Sequence, residues 1–248
     1  MHASPDHERP PLLEARGLAF ARNDEPVFGP LDFALHAGEV VLIEGDNGSG
    51  KTTLLRVLSG LLAPGEGEIR LQGEPLTLAA IAPQVALLSH ANGLKPELTT
   101  LENLRFAAGL NGVRPGISPP TALAGVGLSG YEDVPTRRLS AGQKKRVALA
   151  RVLLAPVALW LLDEPYANLD LDGINLVNRL LENHANRGGA ALITSHGAYA
   201  YTSGRPRSIP LNPNAVLGGN SSSDASEPAA SKSISAGAAP TSQQERVR

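Results

Sequence analysis

The residues most able to do chemistry form a glycine-rich segment that ends in lysine and threonine. The segment and the residue after it read Gly45, Asp46, Asn47, Gly48, Ser49, Gly50, Lys51, Thr52 and Thr53. The G-x-x-x-x-G-K-[ST] spacing lets the backbone curl until successive N–H groups surround a phosphate. Lys51 can reach the β- and γ-phosphates, and the Thr52 hydroxyl can ligate Mg²⁺. The segment therefore predicts a binding loop for the phosphates of a nucleoside triphosphate.

Two carboxylates in tandem supply the remaining parts of a hydrolytic site. Asp163 and Glu164 follow a continuous apolar run, 157–162, which is typical of a buried parallel strand. Ligands of open α/β sheets bind at the carboxyl ends of such strands. We therefore expect Asp163 to hold the metal ion together with Thr52. Glu164, one residue further, is placed to accept a proton from a water that attacks the γ-phosphate.

Other polar or aromatic residues are weaker candidates. His196 follows the apolar run 190–194 and could position the γ-phosphate or the attacking water. Phe20 could stack on a purine, or it could be a core residue of a strand. The basic run 144–146 reads as solvated helix surface.

A second anion site is predicted where a strong helix begins. Its residues are Leu139, Ser140, Ala141, Gly142 and Gln143. A serine hydroxyl and glycine N–H groups at a helix N-terminus bind anions readily. Because the chain already has one phosphate loop, two such sites suggest a nucleotide shared between two chains.

The surrounding elements alternate between strands and helices, which predicts an α/β fold. We expect strands over 12–20, 26–35, 40–43, 68–71, 85–90, 157–162 and 190–194, and helices over 53–58, 100–110, 119–128, 144–154 and 171–187. Residues 1–11 are expected to be a flexible lead-in, and 12–202 the folded domain with a helical insert at about 90–139. Residues 203–248 contain no aromatic residue and are rich in Ser, Ala, Pro and Gly, which predicts a disordered tail.

Composition excludes several classes of function. The chain has 248 residues, a formal net charge of −2 and no cysteine. The near-neutral charge gives no broad attraction to nucleic acid, and the lack of cysteine excludes thiol catalysis and cysteine-ligated zinc. No apolar run approaches the ~20 residues of a membrane span, and residues 1–8 lack the features of a secretion signal. We therefore expect a cytosolic location.

In this order, the motifs resemble those of the ATP-binding subunits of ABC transporters. The match covers roughly residues 12–200: the phosphate loop, the 139–143 signature, the strand that ends in Asp163 and Glu164, an interface loop that ends in Asp170, and the switch residue His196. The resemblance implies a P-loop ABC ATPase fold with a mixed sheet, an antiparallel β subdomain and a helical subdomain insert. It also implies ATP and Mg²⁺ as cofactors, and an ATP-dependent head-to-tail dimer.

The stretch around His90 narrows the resemblance to the haem-exporter ATPases of cytochrome c maturation. His90 stands where most ABC subunits have a glutamine that contacts magnesium and senses the membrane partner. Segments 94–99, 101–106 and 132–135 are also similar to that group. The implied partners are membrane-spanning subunits of the CcmB and CcmC type and, indirectly, a periplasmic haem chaperone whose release hydrolysis drives. The implied location is the cytoplasmic face of the inner membrane. Asp46 departs from the usual proline and weakens phosphate binding unless its carboxylate points away.

Three other functions fit parts of the sequence. One is the ATPase of a transporter for another small substrate, against which only the His90 region and the neighbouring matches argue. Another is an ABC-type ATPase that acts on nucleic acid or ribosomes; the single cassette and the absence of a basic stripe disfavour it. The third is a binding module without hydrolysis, which the presence of Glu164 and His196 disfavours.

Overall fold

The computed structural model describes residues 10–75, 81–195 and 206–211. Its strands, β1 to β9, are Leu13–Arg22, Glu25–Leu35, Val40–Glu44, Glu66–Leu71, Glu74–Pro75, Val85–Leu88, Leu159–Leu162, Ala190–Thr194 and Arg207–Pro210. Its α-helices, α1 to α5, are Lys51–Leu58, Thr100–Asn111, Pro119–Gly125, Ala141–Leu154 and Leu171–Asn186. Short 3₁₀ turns lie at Ala82–Gln84 and Thr136–Arg138. The predicted strands and helices are all present, with ends shifted by a few residues.

A five-stranded parallel sheet forms the centre, in the order β6-β7-β8-β3-β9. Every residue of β7 and β8 is buried, as the apolar runs predict for strands covered on both faces. Alternate side chains enter two separate cores. Leu161 and Leu192 pack with one core, whereas Leu162 and Ile193 pack with the other. The parallel direction brings the carboxyl ends of β3, β6, β7 and β8 to one edge.

An antiparallel sheet in the order β2-β1-β4-β5 closes one of these cores. Leu13 is paired with Leu35 of β2 and with Leu71 of β4, and all three side chains are buried. Helix α1 contributes Leu54 and Leu58 to the same core. This sheet is the antiparallel subdomain that the family resemblance implies, and it lies beside the glycine-rich loop.

Helices α2, α3 and α4 enclose the other core. Leu104, Leu123 and Val147, one from each helix, are buried there. Thr99 caps α2 by accepting from the N–H of Glu102. These helices fall within the helical insert predicted at about 90–139 and the signature helix that follows it.

The predicted start of the tail at 203 is wrong, because β9 lies inside that segment. Strand β9 pairs in parallel with β3, and the Leu211 N–H donates to the Glu44 carbonyl at 2.7 Å. Ile209 and Leu211 are buried. A four-residue strand that ends in proline carries little compositional signal, but the edge of β3 supplies its hydrogen bonds. The rest of the predicted tail, 203–205 and 212–248, lies outside the described residues. Of the predicted lead-in 1–11, only Pro10 and Pro11 are described. No helix in the described part of the chain is both long and apolar enough to cross a membrane.

Candidate nucleotide site

The glycine-rich loop connects β3 to α1 in a conformation that requires glycine. Gly48 and Gly50 have φ values of 84° and 96°, in the region that side chains disfavour. A Cβ on Gly50 would also lie 3.0 Å from both Cγ1 and the carbonyl oxygen of Val27. The glycines therefore let the loop turn tightly beside β2 and deliver Lys51 as the first residue of α1.

Lys51 brings a buried positive charge into the loop. Its side chain is mostly buried, and Nζ donates to the carbonyl oxygens of Gly45 at 2.6 Å and Asp46 at 2.8 Å. Burial lowers the Lys51 pKa, and the nearby carboxylates of Glu164, Asp46 and Asp163 partly offset this effect. The Asp46 residue itself is exposed.

Asp163 lies at the end of β7, directly opposite the start of α1. Its carboxylate accepts hydrogen bonds from the hydroxyls of Thr52 at 2.9 Å and Thr194 at 2.8 Å. Carboxylate and hydroxyl oxygens are ligands that Mg²⁺ prefers. Neighbouring ligands in an octahedral shell of ~2.1 Å radius lie about 3 Å apart. The Thr52 and Asp163 oxygens therefore fit adjacent positions around a magnesium ion.

Glu164 has an unusual backbone that its neighbours hold on both sides. Its φ is 47°, a left-handed conformation that costs energy for a residue other than glycine. Its N–H donates to the Thr194 hydroxyl at 3.0 Å, and its carbonyl accepts from Lys145 Nζ at 3.2 Å. The hydroxyl of Thr194 thus contacts Asp163 and Glu164 together.

The loop and Glu164 line one open cavity of about 660 Å³. Its lining residues are Arg22, Val27, Asn47, Gly48, Gly50, Lys51, Thr52, Thr53 and Glu164. A cavity of this size, with a lysine, a hydroxyl and a carboxylate converging on it, suits a polyphosphate ligand. The predicted site residues from Asn47 to Thr53, other than buried Ser49, are therefore brought together with Glu164.

Three other candidates have different outcomes. Phe20 stacks on Phe28, with ring centroids 6.2 Å apart, and packs against the core; Arg22 and Val27 line the cavity on that side instead. His90 is exposed in the turn after β6. The end of β6 is adjacent to the site, because the Asp163 N–H donates to the Leu88 carbonyl at 2.8 Å. His196 lies outside the described residues.

Three residues of the predicted second anion site, Ser140, Gly142 and Gln143, line a separate cavity of about 440 Å³. Leu139 is buried in the core instead, and Ala141 does not line the cavity. Ser140 caps α4: its hydroxyl accepts from the Gln143 N–H, and the Gln143 side chain accepts from the Ser140 N–H. Gly142 packs so closely that a Cβ would lie 2.9 Å from the Asn168 carbonyl oxygen. Asp170 lines the same cavity. The signature and the 167–170 loop thus form one continuous surface.

The prediction that residues 144–146 are solvated helix surface is wrong for Lys145, whereas Lys144 and Arg146 are both partly exposed. Lys145 is 2% exposed, and Arg146 donates to the carboxylate of Asp170 at 3.2 Å. The hydrogen bond from the Gly173 N–H is the main cause that lowers the Asp170 pKa, and the charge of Arg146 lowers it further. Helical spacing places Lys145 on the same face as buried Ala148, Leu149 and Val152, so the position, rather than the composition of the run, indicates burial.

Comparison with known proteins shows which family the chain belongs to. A family model described as ABC transporter matches residues 28–167. The chain belongs to the ABC transporter family. Within the family it is an ATP-binding, ATP-hydrolysing subunit.

Curated relatives cover most of the chain. "Cytochrome c biogenesis ATP-binding export protein CcmA" of Xanthomonas campestris pv. campestris (strain 8004) is 59% identical over 207 residues, which are 84% of this chain and 97% of the relative. The protein of the same name from Methylococcus capsulatus is 50% identical over 189 residues, 75% of this chain and 91% of the relative.

Solved structures agree with the fold. An ATP-binding subunit of an ABC transporter superposes with a TM-score of 0.72 and 26% identity, covering 82% of this chain and 86% of its own. A dimeric ATP-binding cassette in a post-hydrolysis state, bound to ADP and Pi, gives a TM-score of 0.71 at 24% identity. The match covers 81% of this chain and 94% of that structure's chain. The predicted ABC ATPase fold is confirmed.

Proposed function

We propose that this chain is the ATPase subunit of a membrane complex that exports or handles haem during the maturation of c-type cytochromes. The observation that carries the proposal is the 59% identity, over 84% of the chain, to a cytochrome c biogenesis ATP-binding export protein. The cavity in which Lys51, Thr52 and Glu164 converge supports the ATPase activity itself. By the same resemblance, hydrolysis drives release of a haem-loaded periplasmic chaperone.

Each residue of the cavity has a distinct role in this proposal. Lys51 and the loop N–H groups bind the β- and γ-phosphates. Thr52 and Asp163 hold Mg²⁺, which neutralises phosphate charge when bound. Glu164 accepts the proton of the attacking water, and His196 orients that water. Asp46 does not line this cavity, although its carboxylate is near enough to Lys51 to raise the Lys51 pKa.

A second copy of the chain completes the site. In the proposed head-to-tail dimer, the signature residues 139–143 of one chain cover the ATP held by the loop of the other. The cavity lined by Ser140, Gly142 and Asp170 supports this arrangement, because it exposes a helix N-terminus at a surface distinct from the phosphate loop.

The membrane partner docks near His90. A groove of about 260 Å³ lies there, lined by Ala91, Asn92, Leu94, Pro96, Thr136, Arg137 and Lys144. Leu94 and Leu98 are both half-buried, and we take them as the apolar anchors for subunits of the CcmB and CcmC type. The chain then works at the cytoplasmic face of the inner membrane. Rigid-body rotation of the insert transmits the state of the nucleotide.

Glu164→Gln tests the catalytic assignment. It should abolish steady-state hydrolysis while ATP still binds, because the base is removed and the phosphate cradle is kept. Lys51→Ala should instead lose ATP binding. Glu74→Gln, on exposed β5, is the matched control and should change neither quantity. Equal loss of affinity and turnover in Glu164→Gln would remove Glu164 from the role of base.

Changing Leu94 and Leu98 together to serine tests the docking surface. The double variant should lose its membrane subunits on co-purification, while the isolated domain still binds ATP. Maturation of c-type cytochromes should fail with it. Normal assembly with normal haem attachment would refute the docking surface. Normal cytochromes in cells that lack the chain altogether would instead favour a transporter of another small substrate.

A further inference from the structure

Lys145 is a buried cation that the proposed chemistry does not use. It lies on α4, five residues after the Ser140 cap, and its side chain runs inward to the site rather than out to solvent. Nζ donates to the Glu164 carbonyl at 3.2 Å. Burial lowers the Lys145 pKa, and the neighbouring carboxylates of Asp163 and Glu164 partly offset this. Burying an ammonium costs energy, so its placement beside these carboxylates calls for a role.

The atom that Lys145 contacts belongs to a strained residue. Glu164 has a φ of 47°, and residues in this region keep such a conformation only when their surroundings fix it. The Thr194 hydroxyl holds the N–H of Glu164, while Lys145 and the Ala167 N–H hold its carbonyl. The direction of the Glu164 side chain follows from this backbone.

We propose that Lys145 is a positioning residue for hydrolysis: by holding the Glu164 carbonyl, it fixes the backbone that aims the Glu164 carboxylate into the phosphate cavity. The inference rests on the proposed role of Glu164 as the base. Since Lys145 is carried by the helix that begins at the signature, the orientation of the base also depends on the position of α4. The signature of a chain thereby influences its own catalytic residue.

The test is a kinetic comparison of Lys145→Met with the unchanged chain. The thioether keeps the buried volume but cannot donate to the carbonyl. We expect kcat to fall by about 10- to 100-fold, the range that a small misplacement of a catalytic group produces. The KM and the Kd for ATP should change by less than about twofold. Lys145→Arg, which restores a charged donor, should recover part of kcat. Arg179→Met, an exposed cation on α5, should leave all three values unchanged.

A double variant separates positioning from a general structural effect. If Lys145 acts through Glu164, adding Lys145→Met to Glu164→Gln should not lower the slow single-turnover rate of hydrolysis that remains without the base, because the group to be positioned is already gone. Losses that multiply, or an unchanged kcat in Lys145→Met, would overturn the inference. If the methionine variant does not fold, Lys145→Gln takes its place, since its shorter side chain loses the same contact. Full turnover in Glu164→Gln alone would instead refute the proposed base, which is a different result.

Discussion

The buried histidine of α5 gives a prediction about stability and pH. His184 is 3% exposed, and its ring stacks on Trp160 with centroids 3.8 Å apart. Nε2 lies 2.9 Å from the Ala158 carbonyl oxygen, so the neutral ring donates from that nitrogen. Burial, together with the positive charge of Arg114, lowers the His184 pKa to about 4 from an ordinary value of 6.5. The carbonyls of Ala158 and Ala190 only partly oppose this.

The sign of the effect follows from proton binding. In the unfolded chain His184 takes up a proton as the pH falls below about 6.5, whereas the folded chain resists until about pH 4. The unfolded state therefore binds more protons over this window, and the free energy of unfolding decreases as the pH decreases. Through this shift, the free energy of unfolding decreases by about 2 kcal/mol from about pH 7.5 to about pH 5.

Urea unfolding of His184→Phe at both pH values measures this contribution. Phenylalanine can still stack on Trp160, but it leaves the Ala158 carbonyl without its donor, so we expect the variant to be about 1–2 kcal/mol less stable at the higher pH. At the lower pH this deficit should disappear or reverse. The unsubstituted chain has lost the stability that depends on a neutral His184, whereas the variant has no histidine there to be protonated. Other titrating groups cancel in the comparison. A deficit that is the same at both pH values would refute the account of a buried neutral ring.

Two further predictions concern other parts of the chain. Thr194→Val removes the hydroxyl that contacts Asp163 and the Glu164 N–H, so kcat should fall about 10-fold or more. The steady-state ATPase rate measures this. An unchanged rate would refute a role for the hydroxyl in holding the two carboxylate residues. Ending the chain at 217 should leave the melting temperature unchanged. Ending it at 206 removes buried Ile209 and Leu211 and should lower the free energy of unfolding by about 1.5–3 kcal/mol for each side chain. Equal melting temperatures of the two truncated chains would show that β9 does not stabilise the fold.

The sequence was sufficient for the parts of the site that are contiguous in the chain. The loop that ends in Lys51 and the pair Asp163 and Glu164 each follow an apolar run, and parallel strands bring such ends to one edge. The contact of Thr194 with Asp163 joins residues on different strands, so nothing in the local pattern specifies it. The basic composition of 144–146 indicates exposure, but helical spacing places Lys145 on the buried face of α4.

The local sequence does not decide the role of Phe20 and does not indicate strand β9, for a different reason. An aromatic residue ahead of the loop fits both a core and a purine, and only packing against Phe28 distinguishes them. Strand β9 has four residues and exists through its pairing with β3. Its strand character depends on a partner more than 160 residues earlier in the chain, and local composition carries no information about such a partner.

Helix α4 provides a physical route between the surfaces on which the proposed cycle depends. It has 14 residues, is therefore about 21 Å long, and begins at the signature. Along its length Lys145 contacts Glu164, Arg146 contacts Asp170, and Arg151 donates to carbonyls in the loop after β6. These surfaces belong to the hydrolytic site, the proposed dimer interface and the proposed docking region. When α4 shifts as a rigid body, the three contacts move together. The three contacts can therefore couple nucleotide, dimer and membrane partner without any change in the fold of the helix.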